Sequence, residues 1–406
     1  MTKISIIGPF STVIGGAEVV KVHAGEVLSK KGFEVFFTGL SLKLFSKFKY
    51  LPNIDITQNI KVYVLFKSFP QLFGVLQPLL GIKAIEKLSS KINTDLVFID
   101  IEGSKNLHKL WKKKKFKLIK YIHFPHSALI SLSKINKNKE CKEYLEDLQG
   151  YFKKYYSSML MTIYYGGYIG FLRKMLPEEP QECDLLLTNS EYIGRFFKIL
   201  HGVMPIVIHP PVETSDLSNY AEKAFEERDN AVTMLGRISS EKNYEDVIKA
   251  ISLTDSKPKL KIIGVTTRKG LDYLRYLIKY AKNLGVNIEP YLNVPRSKLG
   301  MLLSNSKVFV HATRGEHFGI AIVEAMATGL PVIVHKSGGQ FYDIIEKGKY
   351  GFYYTSVEEL ASKIDELICD KNKWTYYSNL SKNRSKNFEA KEFKRKLLYA
   401  IEGKVI

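Results

Sequence analysis

The stretch Glu316-His-Phe-Gly-Ile-Ala-Ile-Val-Glu324 decides the fold, because it places two carboxylates across a predicted strand-to-helix turn. The apolar run Lys307–Thr313 predicts the strand, and Gly329-Leu-Pro331 is a typical helix end. The first carboxylate is therefore expected in a loop and the second about one turn into the helix. A helix start directs backbone N–H groups at a bound phosphate, which leaves the two acids to grip the hydroxyls of a sugar and a ribose.

The length and charge of the chain limit its number of domains and its class of binding partner. At 406 residues it suits two α/β domains of about 200 residues each. The net charge of +20 arises from 61 Lys and Arg against 41 Asp and Glu. Such an excess implies contact with anions, which are nucleotides, nucleic acid or an acidic membrane face.

Cysteine usage and the apolar segments bear on the cellular compartment. Cys141, Cys183 and Cys369 are scattered and form no CxxC pair, so no disulfide framework or zinc site is expected, which fits a reducing compartment. The start of the chain runs directly into a strand, and no signal peptide is predicted. Tyr155–Leu172 is uncharged but rich in Tyr, Ser and Gly. It is interpreted as an interfacial or acceptor-side helix, with a buried helix or a membrane span as alternatives.

The first half alternates short apolar runs with helical patterns, as in a doubly wound sheet. An amphipathic helix is predicted over Ala17–Lys31, and Ser190 is predicted to cap another helix. The predicted strands are Ile4–Gly8, Phe33–Gly39, Asp95–Asp100, Lys117–Ile122 and Asp184–Asn189.

The same rhythm restarts after Val207-Ile-His-Pro-Pro-Val212, whose paired prolines predict a stiff crossover. We therefore predict two domains, 1–207 and 208–385, with a basic helix over 386–406 that packs back onto the first. Helices are predicted over Tyr244–Ile251 and Gly270–Asn283. The predicted strands are Ala231–Gly236, Leu260–Gly264, Val286–Tyr291, Lys307–Ala312 and Leu330–His335.

Three further motifs fall at strand ends, where open parallel sheets bind ligands. Gly236-Arg237-Ile-Ser-Ser-Glu-Lys242-Asn243 presents two cations that can hold a diphosphate without a metal, although an ordinary basic loop would look the same. Gly15-Gly16-Ala-Glu18 would let a ligand approach the backbone, or would simply form a tight turn. His123-Phe-Pro-His126 ends a strand, so either histidine is a candidate donor to a sugar hydroxyl or a structural residue. His311 is predicted to be a core residue.

Two segments are open to more than one interpretation. Seven lysines between Lys109 and Lys120 predict a solvated helix face, with attraction to membrane phosphates as the alternative. Ser68–Ile82 is uncharged and interrupted by prolines, and it is expected either to line a groove for an apolar acceptor or to pack under a loop.

Taken together, these motifs resemble the retaining glycosyltransferases of the GT-B type in family 4, and Glu316-His-Phe-Gly-Ile with His123-Phe-Pro is similar to the dolichol-pathway mannosyltransferases. The resemblance implies an α/β fold of two Rossmann-like domains that face each other across a cleft. It implies that Arg237 and Lys242 bind the donor diphosphate, that Glu324 binds the ribose and that Glu316 holds sugar hydroxyls. His123 would lie near the reacting centre.

The resemblance also implies the substrates and the surroundings of the enzyme. The donor would be GDP-mannose or a UDP-sugar, and the acceptor a lipid-linked or membrane-proximal glycan at the cytoplasmic face of an anionic membrane. No metal or other cofactor is expected, because no Asp-x-Asp metal motif appears in a suitable place. Asp343 replaces the usual Glu of the family, and residues 127–180 carry no motif. Further contacts to the nucleotide-sugar are implied for Gly15, Gly16, Gly236, Ile263, Val294, Phe318, Gly319 and Ile320.

Other functions fit parts of the same pattern. A sugar-nucleotide epimerase or a phosphorylase would share the fold, and a phosphorylase would carry lysine-bound pyridoxal phosphate. The basic charge alone would also suit a nucleic-acid-binding protein. Against that, the aromatic residues are not interleaved with Lys and Arg, and no nucleic-acid-binding motif is visible.

Overall fold

The protein is described by a computed structural model that covers residues 4–10, 15–41, 60–66, 77–91, 93–113, 115–130, 144, 169–266 and 268–405. These residues divide into two compact units, one containing those up to Pro211 and those from Ala390, the other being Val212–Glu389. The chain thus passes between the units after Pro211 and after Glu389, where the sequence predicted boundaries at 207 and 385. Cys141 and most of Ser68–Ile82, Tyr155–Leu172 and the motif-free segment 127–180 lie outside the described ranges.

The first unit contains a seven-stranded parallel sheet in the order β3-β2-β1-β4-β5-β6-β7. All five predicted strands are confirmed, and the seven-residue strand β3 and the two-residue strand β7 are additional. The strands are β1 Ile4–Phe10, β2 Glu34–Ser41, β3 Ile60–Phe66, β4 Leu96–Ile99, β5 Lys117–Ile122, β6 Leu185–Thr188 and β7 Ile206–Val207. The helices that follow them are α1 Gly16–Lys30, α2 Gln77–Lys91, α3 Lys105–Lys112, α4 Ser127–Ile130 and α5 Glu191–His201.

Apolar side chains cover both faces of this sheet, because neighbouring residues of a buried strand point to opposite sides. Ile7 packs into one core cluster and Ile6 into another. The helix Ala390–Lys404, numbered α13 below, belongs to the first of these clusters through Phe393, Leu397 and Ile401. The chain therefore returns to the first unit to complete its core.

The second unit contains a six-stranded parallel sheet in the order β10-β9-β8-β11-β12-β13. All five strands predicted here are confirmed, and β13 is additional. The strands are β8 Asp229–Leu235, β9 Lys259–Gly264, β10 Ile288–Leu292, β11 Ser306–His311, β12 Val332–His335 and β13 Phe352–Tyr354. The helices are α6 Ser215–Ser218, α7 Tyr244–Leu253, α8 Arg268–Asn283, α9 Arg296–Ser304, α10 Ile320–Ala327, α11 Val357–Cys369 and α12 Lys371–Ser385.

The strand order reverses between β8 and β11. The sheet grows outward from β8 through β9 and β10, whereas β11 leads to β12 and β13 in the other direction. Such a reversal opens a crevice at the carboxyl ends of the two central strands, and ligands of open α/β sheets bind there. A ligand site of this unit is therefore expected at the loops after β8 and β11.

The lysine run differs from its predicted solvated helix face. The helix α3 ends at Lys112, and Lys117 begins a strand. Lys120 is fully buried, and its Nζ donates to Pro180 O at 2.7 Å and lies 2.6 Å from His108 Nε2. Burial lowers the pKa of Lys120 to about 8. The prediction was wrong for Lys120, because a long side chain can enter the protein where it finds oxygen and nitrogen partners.

Candidate functional site

The residues after β8 and β11 meet at the carboxylate of Glu316. Lys242 Nζ lies 3.0 Å from Glu316 Oε2, and His311 Nε2 lies 3.0 Å from the same oxygen. The side chains of Lys242 and Glu316 are 17% and 22% exposed, so that a ligand can still reach the pair. Two residues that the sequence placed in separate motifs thus form one half-buried ion pair.

Burial and the neighbouring charges fix the protonation states in this cluster. Burial would raise the pKa of Glu316, but the charge of Lys242 and the His311 hydrogen bond outweigh it and hold this pKa well below its usual range. Burial and the charge of Lys242 together lower the pKa of His311. Near neutral pH, Glu316 is therefore an anion and His311 is neutral. We infer that the His311 proton is on Nε2, since only that tautomer donates to the carboxylate.

The loop that carries Glu316 is held by the glycine-rich turn after β12. Gly339 N donates to Glu316 O at 2.7 Å, and Gln340 Nε2 donates to Thr313 O at 2.7 Å. Gly338 has a φ of +72°, and a Cβ at this position would lie 2.3 Å from Glu316 O. Only a residue without a side chain leaves room for this approach, so the turn positions the Glu316 backbone.

The turn after β8 is packed equally closely. Gly236 has a φ of +154°, and a Cβ on Gly264 would lie 2.0 Å from Gly236 O. Arg237 follows directly and is 68% exposed, with Nη2 3.7 Å from Glu241 Oε1. Arg237 is thus free to reach a bound anion, whereas Lys242 at the far end of the loop points to Glu316.

The helix α10 begins at Ile320 beside this cluster. Its N-cap, Gly319, has a φ of +110° and supplies no side-chain hydrogen bond to the helix start. Glu324 lies one turn into the helix, as predicted, and accepts a hydrogen bond from Arg296. Burial raises the pKa of Glu324 despite the charge of Arg296. The helix start thus has the properties of an anion site, with a carboxylate one turn away.

Three of the implied nucleotide-sugar contacts have side chains in the core. Ile263 is 1% exposed and Phe318 is 3% exposed, and the Phe318 ring packs against Phe388 with centroids 5.4 Å apart. Val294 is partly buried against the same cluster. Apolar side chains at these strand and helix ends complete the core, and the assignment of Ile263 and Phe318 as nucleotide-sugar contacts stays a prediction. Only their backbone atoms are left for a ligand.

In the first unit, the Gly15-Gly16 turn is tied to a buried charge cluster. Gly15 N donates to Glu18 Oε2 at 2.9 Å, and Gly16 begins α1. Lys21 Nζ lies 3.3 Å from Glu18 Oε1 and 2.9 Å from Asp100 Oδ2. Burial raises the pKa of Asp100 to about 6, although Lys21 opposes this shift. The turn is thus anchored to the carboxyl end of β4.

His123 follows the last residue of β5, which is the predicted strand end. Its ring is partly exposed and lies 4.9 Å, between centroids, from the ring of Tyr121. The carbonyl of His123 accepts from Asn189 Nδ2 at 3.2 Å. His126 belongs to a different cluster, in which Glu102 accepts from Ser127 N at 2.9 Å. Of the two histidines, His123 is the one that directly follows the carboxyl end of β5.

Two residues of the site were not recognised in the sequence. His311 is buried, as predicted, but it also donates to Glu316, and its place at the end of a strand was the available signal. Arg296 donates to Asp216 Oδ2 at 2.9 Å and Oδ1 at 3.1 Å, and it also contacts Glu324. Nothing in the spacing of Arg296 from Glu324 indicated this contact. The carbonyl of Asp343 accepts a hydrogen bond from Arg384.

Neither a metal cluster nor a membrane-spanning helix is found in the described residues. Within those ranges, no group of three or more His, Cys, Asp or Glu side chains is arranged to hold a metal ion. The helices described here also lack the combination of length and apolar character that a membrane crossing requires.

Solved structures share this architecture over almost the whole chain. A glycosyltransferase from Rickettsia africae ESF-5 aligns with a TM-score of 0.66 at 18% identity, covering 99% of this chain and 98% of that one. Anabaena Alr3699/HepE in complex with UDP and glucose aligns with a TM-score of 0.63 at 17% identity, covering 99% and 100%. The fold is therefore that of the GT-B glycosyltransferases, as predicted.

Comparisons of sequence show relatives of higher identity. Residues 218–387 match the family model "Glycosyl transferases group 1". A GDP-Man:Man(3)GlcNAc(2)-PP-Dol alpha-1,2-mannosyltransferase of Xenopus tropicalis is 31% identical over 204 residues, which are 46% of this chain and 41% of the relative. The human protein of the same description is 28% identical over 207 residues, with the same coverage. The aligned part is thus about two fifths of these relatives, and the resemblance to dolichol-pathway mannosyltransferases is confirmed.

Proposed function

We propose that this chain is a retaining glycosyltransferase that moves a hexose from a nucleotide-sugar to a lipid-linked or membrane-proximal glycan. The observation that carries the proposal is the Lys242–Glu316 ion pair at the β8/β11 reversal, beside the uncapped start of α10. The cation and the helix start can bind the diphosphate, and the carboxylate can bind the sugar. The three groups together therefore fit a sugar diphosphate better than any one of them does. The mannosyltransferase relatives use GDP-mannose, which favours this donor over a UDP-sugar.

In the proposed reaction, the bond between the anomeric carbon and the diphosphate breaks while a bond from the acceptor oxygen forms on the same face. The proton of the acceptor hydroxyl passes to an oxygen of the leaving phosphate. Lys242, Arg237 and the start of α10 stabilise the negative charge that grows on the diphosphate. Glu316 accepts hydrogen bonds from sugar hydroxyls, while Lys242 and His311 hold its carboxylate in place.

His123, at the carboxyl end of β5, remains a predicted donor to a sugar hydroxyl. No step of this reaction requires a metal or another cofactor. Absorbance spectra of the purified protein test the phosphorylase alternative, because lysine-bound pyridoxal phosphate absorbs in the near ultraviolet and visible range. A featureless spectrum together with sugar transfer would exclude it.

The donor is tested by thermal denaturation in the presence of GDP-, UDP- and ADP-sugars. A ligand at a hundred times its Kd adds about 2.7 kcal/mol, which corresponds to a rise in Tm of roughly 5–10 °C for a unit of this size. We expect GDP-mannose to give the largest rise and to donate a labelled hexose to a polyprenyl-diphosphate glycan. Absence of a shift with all three classes would overturn the proposal.

Localisation at the cytoplasmic face of an anionic membrane is part of the proposal. It is supported by a groove of about 540 Å³ between α2 and α3 that is rich in exposed lysines. Each lysine near an anionic surface contributes about 1 kcal/mol, so four should strengthen binding by about 100-fold or more. The four are Lys83, Lys87, Lys109 and Lys113.

Sedimentation with phosphatidylserine vesicles tests the surface. Changing the four groove lysines to Glu should abolish co-sedimentation, and pure phosphatidylcholine should not bind the unchanged protein. The matched control changes four exposed lysines of the second unit to Glu and should retain binding. Equal losses in both variants would show that net charge alone is responsible. The control positions are Lys249, Lys269, Lys279 and Lys282.

A further inference from the structure

The guanidinium of Arg296 joins two carboxylates in the second unit. Its Nε and Nη2 atoms donate to the two oxygens of Asp216 at 2.9 and 3.1 Å, which is the two-pronged geometry that Arg and a carboxylate favour. Its remaining nitrogen, Nη1, donates to Glu324 Oε1. Arg296 Nη2 also donates to Glu213 O. The side chain is thus fixed at one end and presents a single N–H group to Glu324.

We propose that Arg296 is the positioning residue for Glu324 and thereby determines how strongly the site recognises the ribose of the nucleotide. This inference rests on the proposed function, because it needs a nucleoside diphosphate beside Glu324. With Nη1 on Oε1, the carboxylate is held in one orientation, and its Oε2 makes no hydrogen bond to any of the described residues. The accepting edge of Oε2 is then available for the ribose 2′- and 3′-hydroxyls.

Arg296 also influences the protonation of Glu324 through its charge. The side chain of Glu324 is 16% exposed, and its burial favours the neutral acid. A neutral acid has one donating O–H, whereas both oxygens of a carboxylate only accept, and two donating ribose hydroxyls at Oε2 require the carboxylate. The charge of Arg296 opposes protonation of Glu324, while Asp216 promotes it. Removal of the guanidinium should therefore weaken ribose binding by disordering the carboxylate and by protonating it.

The experiment compares the affinity for GDP and UDP with that for their 2′-deoxy forms by titration calorimetry. In the unchanged protein, we expect loss of the 2′-hydroxyl to weaken binding about 10-fold or more, as for a hydrogen bond to a charged group. In Arg296→Met, this ratio should fall toward 1, and binding should become tighter as the pH rises from 5 to 8, because Glu324 then loses its proton. Arg296→Lys should restore part of the ratio, and Glu324→Gln should abolish it.

The double variant of Arg296→Met and Glu324→Gln should bind GDP and UDP no more weakly than Glu324→Gln alone. An unchanged deoxy ratio in Arg296→Met, in a protein whose melting temperature matches the parent, would overturn the positioning role. A loss of affinity with an unchanged ratio would also overturn it and would place Arg296 on the phosphates. If the unchanged protein binds neither GDP nor UDP, the proposed function itself fails, and this inference fails with it.

Discussion

Gly338 leaves no room for a side chain beside the backbone of Glu316. A Cβ at Gly338 would lie 2.3 Å from Glu316 O and 2.6 Å from Glu316 N. Gly338→Ala must therefore displace the loop that carries the carboxylate. Because a shift of about 1 Å can cost about 100-fold in rate, we expect a loss of that size in hexose transfer. Steady-state kinetics with labelled donor measure it.

Gly285 provides the matched control. Its φ of +70° is nearly that of Gly338, but no atom lies within 4 Å of a Cβ placed there. Gly285→Ala should destabilise the fold by about 1–2 kcal/mol, the cost of the left-handed backbone, while retaining the transfer rate. Equal turnover in the two variants would contradict the positioning of Glu316 by the Gly338 turn.

Glu316→Gln should lower hexose transfer by about 100- to 1000-fold, the loss that follows removal of one charge-stabilising group from an active site. Nucleotide affinity should change only a few-fold, because Glu316 is assigned to the sugar. Calorimetry with GDP and a transfer assay separate these effects. Glu358→Gln, on the exposed face of α11, is the control. Full turnover of Glu316→Gln would remove Glu316 from the mechanism.

Lys242→Ala and Arg237→Ala should weaken binding of GDP and leave guanosine unaffected. A hydrogen bond to a charged group contributes about 1.5–3 kcal/mol, so each variant should lose about 10- to 100-fold in GDP affinity. Titration calorimetry with both ligands measures the difference, and Lys249→Ala is an exposed-lysine control. Equal losses for GDP and guanosine would argue against contact with the diphosphate.

His335 should make stability depend on pH. Burial, followed by the charge of Arg314, lowers the pKa of His335 to about 4. Between its ordinary value of about 6.5 and pH 4, the unfolded chain binds a proton that the folded chain does not, so stability falls as the pH falls. His335→Gln should reduce this slope near pH 5 by about 1.4 kcal/mol per pH unit. Urea unfolding from pH 7 to 4 measures it, and parallel curves would contradict the assignment.

Leu397 anchors α13 in the core of the first unit. It is fully buried, so Leu397→Ala should destabilise that unit by about 2–5 kcal/mol. Tyr399 lies on the same helix and is 80% exposed, and Tyr399→Ala should have an effect below about 0.5 kcal/mol. Chemical unfolding compares the two. If both variants unfold together with the parent protein, α13 does not contribute to the core as described.

Strong local signals made much of this fold predictable. Lys117–Ile122 is a strand with the predicted bounds, since a buried parallel strand is a short and nearly continuous apolar run. Ser190 caps α5 as predicted, and its Oγ accepts from Ile193 N at 3.2 Å. The loop position of Glu316 and the helical position of Glu324 followed from the strand before them and the glycine after them.

The remainder depended on contacts between distant segments. The strands β7 and β13 have two and three residues, too few to show a period of their own. Lys120 looked like part of a charged surface, because its burial depends on partners provided by α3 and by Pro180. The pairing of Arg296 with Asp216 joins segments 80 positions apart, and spacing rules do not reach that far.

The return of α13 to the first unit also sets the order in which the protein can mature on the ribosome. The described residues of the second unit, Val212–Glu389, are all synthesised before α13 exists. That unit can fold as it emerges, whereas the core cluster that contains Ile7 and Tyr121 is incomplete until Phe393 and Leu397 have been synthesised. A nascent chain halted at Glu389 would therefore combine a folded second unit with an incomplete first unit, which is a species that chaperones and proteases select.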